Sequence, residues 1–238
     1  MAIMAVILCV QQASAQKRVR EFGIFDHLGI GASIGTTGYG FQVAAPITDY
    51  LQLRAGYSFA PNLKYTEKDV DYETFDGGEG KTDIEGKLNM GDLSLLLDIY
   101  PFKKPTFHFT VGFFSGKERV ITAYNTKPVD VDGSLEIGDY KVEFDKDGFA
   151  NAAIQVNKFK PYIGIGFGRA VPRKRVGFSF EMGTQFWGTP GVYAKSGDGS
   201  WQELTSSDLD KEDEGGIDLL SKITIYPVIT FRLTGRIF

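Results

Sequence analysis

The chain has a single cysteine and two histidines among 238 residues. Cys9 lies within the first ten residues, so nothing beyond it can close a disulfide or supply a thiolate metal site. His27 and His108 leave little material for histidine chemistry. Long apolar runs are also missing. The longest uninterrupted one, which ends at Val10, is far short of the roughly 18 residues that a membrane-spanning helix needs, which excludes a helical membrane protein. With 24% charged and 42% hydrophobic residues, the composition equally excludes a disordered chain or a disulfide-stapled miniprotein.

What is present begins with a leader. An apolar stretch runs through Val10, then Gln11-Gln12, then Ala13-Ser14-Ala15, an A-x-A cleavage site of the secretory type. Leu8 precedes Cys9 where a lipoprotein acylation signal wants a small residue, so this stretch is expected to be the apolar region of a signal peptide. Residues 1–15 are then the leader, and residues 16–238 form one exported, cysteine-free domain.

Strict alternation of apolar and polar residues runs through most of that domain, which marks strands with two different faces. Leu28, Ile30, Ala32 and Ile34 alternate with Gly29, Gly31, Ser33 and Gly35. Phe41, Val43 and Ala45 follow, and then Leu51, Leu53, Ala55, Tyr57 and Phe59 against Gln52, Arg54, Gly56 and Ser58. The same rhythm recurs at Leu93 to Ile99, Phe107 to Phe113, Ile163 to Phe167, Phe178 to Met182 and Ile229 to Leu233, making eight strands.

The polar faces are mostly Gly, Ser, Thr and Gln, as suits a narrow enclosed lumen, and the apolar faces carry large residues, as suits lipid. Short links at residues 46–49, 101–105 and 171–174 alternate with long ones at 60–83, 124–157 and 188–216. That is the pattern of periplasmic turns and extracellular loops. The first outer connection, around residues 36–38, is a tight turn. The expected fold is therefore all-β, an antiparallel up-and-down transmembrane barrel of eight strands. The alternative is ten strands, with a further hairpin at residues 135–144. Both termini then fall on the periplasmic side, and Phe238 serves as an aromatic assembly signal. Charge agrees with this topology: the three long links hold 8 basic and 21 acidic residues, and the remainder holds 18 and 9.

Several segments resemble a known family. Gly38-Tyr39-Gly40-Phe41, Leu51-Gln52-Leu53-Arg54-Ala55-Gly56-Tyr57, Leu95-Leu96-Leu97-Asp98-Ile99-Tyr100-Pro101-Phe102 and Pro161-Tyr162-Ile163-Gly164-Ile165-Gly166-Phe167-Gly168 are similar to small Gram-negative outer-membrane proteins that carry an outer-membrane β-barrel domain of uncharacterised function. The stretch from Tyr226-Pro227-Val228 to Phe238 shares the likeness. The resemblance implies an integral outer-membrane location and the barrel fold, and it supplies no activity.

Five charged or titratable residues collect on the expected lumen face: Arg54, Asp98, His108, Glu181 and Arg232. All fall in the periplasmic half of their strands. They read either as an ion path or as ion pairs that fill the barrel. The second is favoured, because an eight-stranded barrel is about wide enough for side chains alone and an unpaired buried charge costs several kcal/mol. Arg54 is expected to pair with Asp98 on the next strand, and Glu181 with Arg232. His27 and His108 lie toward the periplasmic side, away from where a lipid-modifying enzyme would need its base, so no enzyme is expected. Asp132-Gly133, Asp147-Gly148 and Asp198-Gly199 read as hairpin turns, because calcium-loop spacing is missing. Residues 208–214 read as the start of a short acidic helix. No metal, cofactor or nucleic-acid site is expected.

The expected role is structural or interactive, with acidic loops contacting another outer-membrane or surface protein. The alternative is a narrow channel or a small-ligand carrier. Outer-membrane lipid, lipopolysaccharide and the outer-membrane assembly machinery are the remaining expected partners.

Overall fold

The computed structural model describes residues 27–61, 63–74, 76–102, 106–129, 133–137, 140–195, 200–204 and 224–237. The expected leader, the expected acidic helix and Phe238 lie outside the described residues. The expected eight barrel strands are found, six of them longer than their alternating cores: β1 (Gly29–Gly35), β2 (Gly38–Pro46), β3 (Leu51–Phe59), β6 (Gly91–Ile99), β7 (Phe107–Gly116), β12 (Phe159–Phe167), β13 (Val176–Phe186) and β16 (Ile225–Arg236). They close a barrel in the order β1-β16-β13-β12-β7-β6-β3-β2. Closure is made by β1 against β16, in register from Gly29 opposite Arg236 to Gly35 opposite Thr230. No sheet edge remains in the barrel, so every ladder group finds a partner.

Side chains sort by parity along each strand. Ile34, Phe41, Leu93, Ile163, Phe178 and Leu233 stand exposed on the outer surface, whereas Gln52, Arg54, Asp98, Thr110, Gln185 and Thr234 are buried inside. This polarity is inverted relative to a water-soluble domain. Exposed aromatic residues cluster at both ends of the outer face, Tyr39, Tyr57 and Phe159 toward the long connections and Tyr50, Phe102 and Phe167 toward the short turns. Among the described residues no helix is long and apolar enough to cross a membrane.

The described parts of the long connections, expected as loops, are largely strand. Between the barrel strands the described residues form eight more strands: β4 (Lys64–Thr74), β5 (Glu79–Leu88), β8 (Arg119–Asn125), β9 (Gly133–Ile137), β10 (Tyr140–Glu143), β11 (Asn151–Gln155), β14 (Gly191–Lys195) and β15 (Trp201–Glu203). These form a second sheet in the order β10-β9-β4-β5-β8-β11-β14-β15. Backbone bonds carry the ladder from one sheet to the other, from Ala60 to Met90, Asn89 to Val120, Val156 to Glu118 and Asn157 to Trp187. The hairpin weighed as a ninth and tenth barrel strand is β9–β10, and it lies in this outer sheet, so the barrel keeps eight. Asp147-Gly148 is a turn, with Gly148 at φ 76°, but it links β10 to β11, which do not pair with each other. The turn at Thr36 and Thr37 leaves β1 and β2 without any outer extension. Gly38, at φ 90°, permits it, since a Cβ there would run into the Phe59 carbonyl.

Candidate functional site

Among the described residues, side chains occupy the lumen in successive layers. At the short-turn end, the β12–β13 connection folds back into the barrel mouth. Ala170 and Val171 are buried against Ala44. The Ala170 amide donates to the Tyr100 hydroxyl at 3.2 Å, and the Val171 amide donates to Gln52 Oε1 at 3.0 Å. The Arg169 guanidinium lies 4.4 Å from the Tyr100 ring centre and donates to the Asp49 carbonyl. Gly168, at φ 110°, starts this inward bend, because a Cβ there would collide with Ser179.

Above this plug all five expected lumen residues come together in one buried network. Arg54 Nη2 lies 2.8 Å from Asp98 Oδ1 and 2.6 Å from Glu181 Oε2. Arg232 Nη2 also pairs with Glu181 Oε2. His108 Nε2 is 3.4 Å from that same oxygen, while its Nδ1 faces the Thr106 carbonyl at 3.3 Å. The Tyr162 hydroxyl donates to Glu181 Oε1 at 2.8 Å, and Thr110 donates to Asp98 at 2.9 Å. Two separate pairs were the expectation. One network centred on Glu181 is the finding, because Arg54 reaches across the lumen as well as to its neighbouring strand.

Register explains the convergence. Asp98 stands directly opposite Gln52, and Arg232 opposite Ser179, so both expected pairs are diagonal contacts. His108 and Glu181 flank Gly166 on β12, and the missing side chain there opens the space in which the imidazole meets the carboxylate. Asp98, His108 and Glu181 offer ligand atoms within 4.8 Å of one another. A divalent cation does not fit them, since the shared carboxylate already faces two guanidinium groups whose charge would repel it. Two carboxylates against two guanidiniums leave those four groups balanced in a lumen that could not hold them unpaired.

Further out, Leu96, Phe114, Tyr162 and Val228 form an apolar layer. The space that side chains leave here is about 40 Å³, lined by Ser33, Gln42, Ser94 and Arg232 among others. That is room for a few waters at most. A second buried pair follows, Lys160 Nζ to Asp92 Oδ1 at 2.6 Å. The outer mouth is capped by Met90, Val120, Val156 and Trp187, with Trp187 stacked on Tyr226 at 4.4 Å.

Sequence reasoning placed Thr110 on the polar face beside His108 but missed Tyr162, Asp92 and Lys160, although all three share parity with lumen positions it had assigned. Extending each strand by one or two alternations would have found them. The plug had only a faint signal, Ala170-Val171-Pro172 set between arginines. His27 stands just before β1, and His108 is buried in the network near the short turns.

These features define a small closed antiparallel barrel, apolar outside and packed with polar and charged side chains within. No family model matches the chain, and no curated protein does. Among solved structures it is similar to CarO2 of Acinetobacter baumannii, with 19% identity, a TM-score of 0.48, and coverage of 90% of this chain and 99% of that one. It is also similar to CarO of the same organism, with 20% identity, a TM-score of 0.48, and coverage of 87% and 96%.

Proposed function

We propose that this chain is an integral protein of a Gram-negative outer membrane, exported by its leader, with a structural or interaction role and no enzymatic activity. The observation that supports the reading is the packed lumen: among the described residues, plug, charged network, apolar layer, second ion pair and apolar cap succeed one another along the barrel. A barrel closed in this way contributes a wall and an anchor. What it presents is the outer sheet, acidic and solvent-facing, which suits contact with a basic or cationic surface component. The exposed apolar band with aromatic residues at both ends supports the membrane setting.

Proteoliposomes test this directly. Vesicles carrying the folded protein are expected to exclude small sugars and salts as well as empty vesicles do, while added protease trims the outer sheet and spares the barrel. Solute entry at rates proportional to protein content would replace this reading with the channel or carrier alternative.

A further inference from the structure

Donors outnumber acceptors around the space that side chains leave in the lumen. Arg54, Arg232 and Gln42 all line this pocket of about 40 Å³. Both arginines are buried, at 3% and 2% exposure. Among the described residues, however, Arg54 Nε and Arg232 Nε and Nη1 meet no acceptor. Gln42 Oε1 accepts from Arg54 Nη1 at 3.4 Å, which leaves Gln42 Nε2 as a fourth nitrogen donor without a partner. Buried donors left in this way are costly unless something accepts from them.

The carboxylate at hand cannot take them up. Glu181 is the only acidic residue in the lining among the described residues. Its oxygens are already engaged, Oε1 by the Tyr162 hydroxyl and Oε2 by Arg54, Arg232 and Thr110. Asp98, which balances Arg54 within the network, is not part of the lining. Two guanidinium groups therefore face the pocket against one carboxylate, and the potential inside it is positive. Much of the remaining polar lining is hydroxyl, including Ser33, Ser94 and Thr230, and each hydroxyl can turn its proton toward an acceptor in the middle.

We propose that this pocket binds one monatomic anion of chloride size, held by the unpartnered edges of the Arg54 and Arg232 guanidinium groups. Size sets the class: about 10–15 Å³ of such space holds one water, so a halide fits where a phosphate or an organic carboxylate does not. Water is the poorer occupant, because it must also donate two protons and the carboxylate oxygens in reach are taken. The lining includes Thr37, in the β1–β2 turn that carries no outer extension, so the pocket extends toward the outer rim of the barrel. Bound there, the anion completes the packing of the lumen as a counter-ion.

Bromide is the probe. Crystals of the folded, detergent-solubilised protein grown in bromide are expected to show one anomalous peak in the lumen, within hydrogen-bond distance of both arginines. In solution, the temperature at which heat-modifiable migration is lost is expected to rise by a few degrees in chloride over gluconate at equal ionic strength, since gluconate is too large for the pocket. Ser33 stands directly opposite Arg232, so Ser33→Asp supplies a carboxylate in the anion's place and is expected to abolish both the peak and the chloride effect. Gln42→Glu serves if that variant does not fold. Water alone in the pocket at high bromide, a melting temperature indifferent to chloride, or an undiminished peak in the folded carboxylate variant would overturn the site.

Discussion

Eight strands of this protein close on themselves, while the eight above them, among the described residues, form an open sheet that runs from β10 to β15. Both sheets share one hydrogen-bond ladder, and they differ in what their faces meet. Each barrel strand separates a packed, mostly polar lumen from an apolar exterior, so its residues alternate through most of the strand, with the inward Leu96, Phe114 and Val228 as exceptions. In the outer sheet the contrast fades. The first six residues of β4 are all exposed, whichever way they point, and the core on the sheet's other part is built from Ala150, Ala152, Ala194, Ile84, Leu135 and Val142. Alternation records a difference between two environments, and where that difference is small a strand leaves little trace in its sequence.

Ion pairs should break the comparison most sharply. Glu181→Ala removes the acceptor of Arg232 and Tyr162 and one of the two carboxylates that face Arg54, which leaves the buried Arg232 guanidinium uncompensated, for an expected loss of about 3–5 kcal/mol. Asp98→Ala should cost less, since Arg54 keeps Glu181. In the outer sheet, Lys64 and Glu85 are 2.8 Å apart with the lysine half exposed, and Glu85→Ala is expected to leave the melting temperature of the barrel unchanged. Heat-modifiable migration across a temperature series measures all three. A Glu181 variant as stable as the Glu85 variant would remove the network from the account.

A charge placed on the exposed face sharpens the same contrast. Phe109 and Tyr65 are both exposed, at 46% and 73%. Phe109→Arg is expected to cost about 2–4 kcal/mol, because its surroundings are hydrocarbon. Tyr65→Arg meets water and should fall within about 0.5 kcal/mol of wild type. Refolding yield into lipid vesicles distinguishes them, and equal yields would place both residues in one environment.

The smallest expected effect is confined to the outer sheet. Burial pushes the Asp145 carboxyl up, but the amides of Phe149 and Asp147 and the Lys195 ammonium group outweigh it and hold the group below the usual carboxylate value of 3.8. A lowered folded-state pKa stabilises above the unfolded value and loses that contribution as pH falls through the folded one. Acidification below pH 3.8 is thus expected to loosen the β10–β11 turn, read as faster amide exchange at Phe149. Asp145→Asn should abolish that pH dependence while leaving the barrel amides unaffected.

How much was legible follows from the same physics. The alternation of Leu51 to Phe59 or Phe107 to Phe113 located the barrel strands, and parity alone put Arg54, Asp98, His108, Glu181 and Arg232 inside. Their convergence on Glu181 was not legible, because it depends on diagonal register and on the absent side chain of Gly166, which no single strand reports. Ala170 and Val171 closing the mouth was hidden for a different reason: a three-residue apolar insert has no period. The outer strands were hidden by exposure on both faces of segments such as Lys64 to Asp69.

The central claim is that side chains close this barrel, and single-channel recording in planar bilayers tests it most directly. The wild-type protein, inserted and folded, is expected to give no steady conductance at any polarity, and Asp98→Ala is expected to lower thermal stability before it produces any current. A stable cation-selective conductance in the wild type, altered by Asp98→Ala with stability intact, would contradict the account, since that carboxylate would then line a path through the lumen.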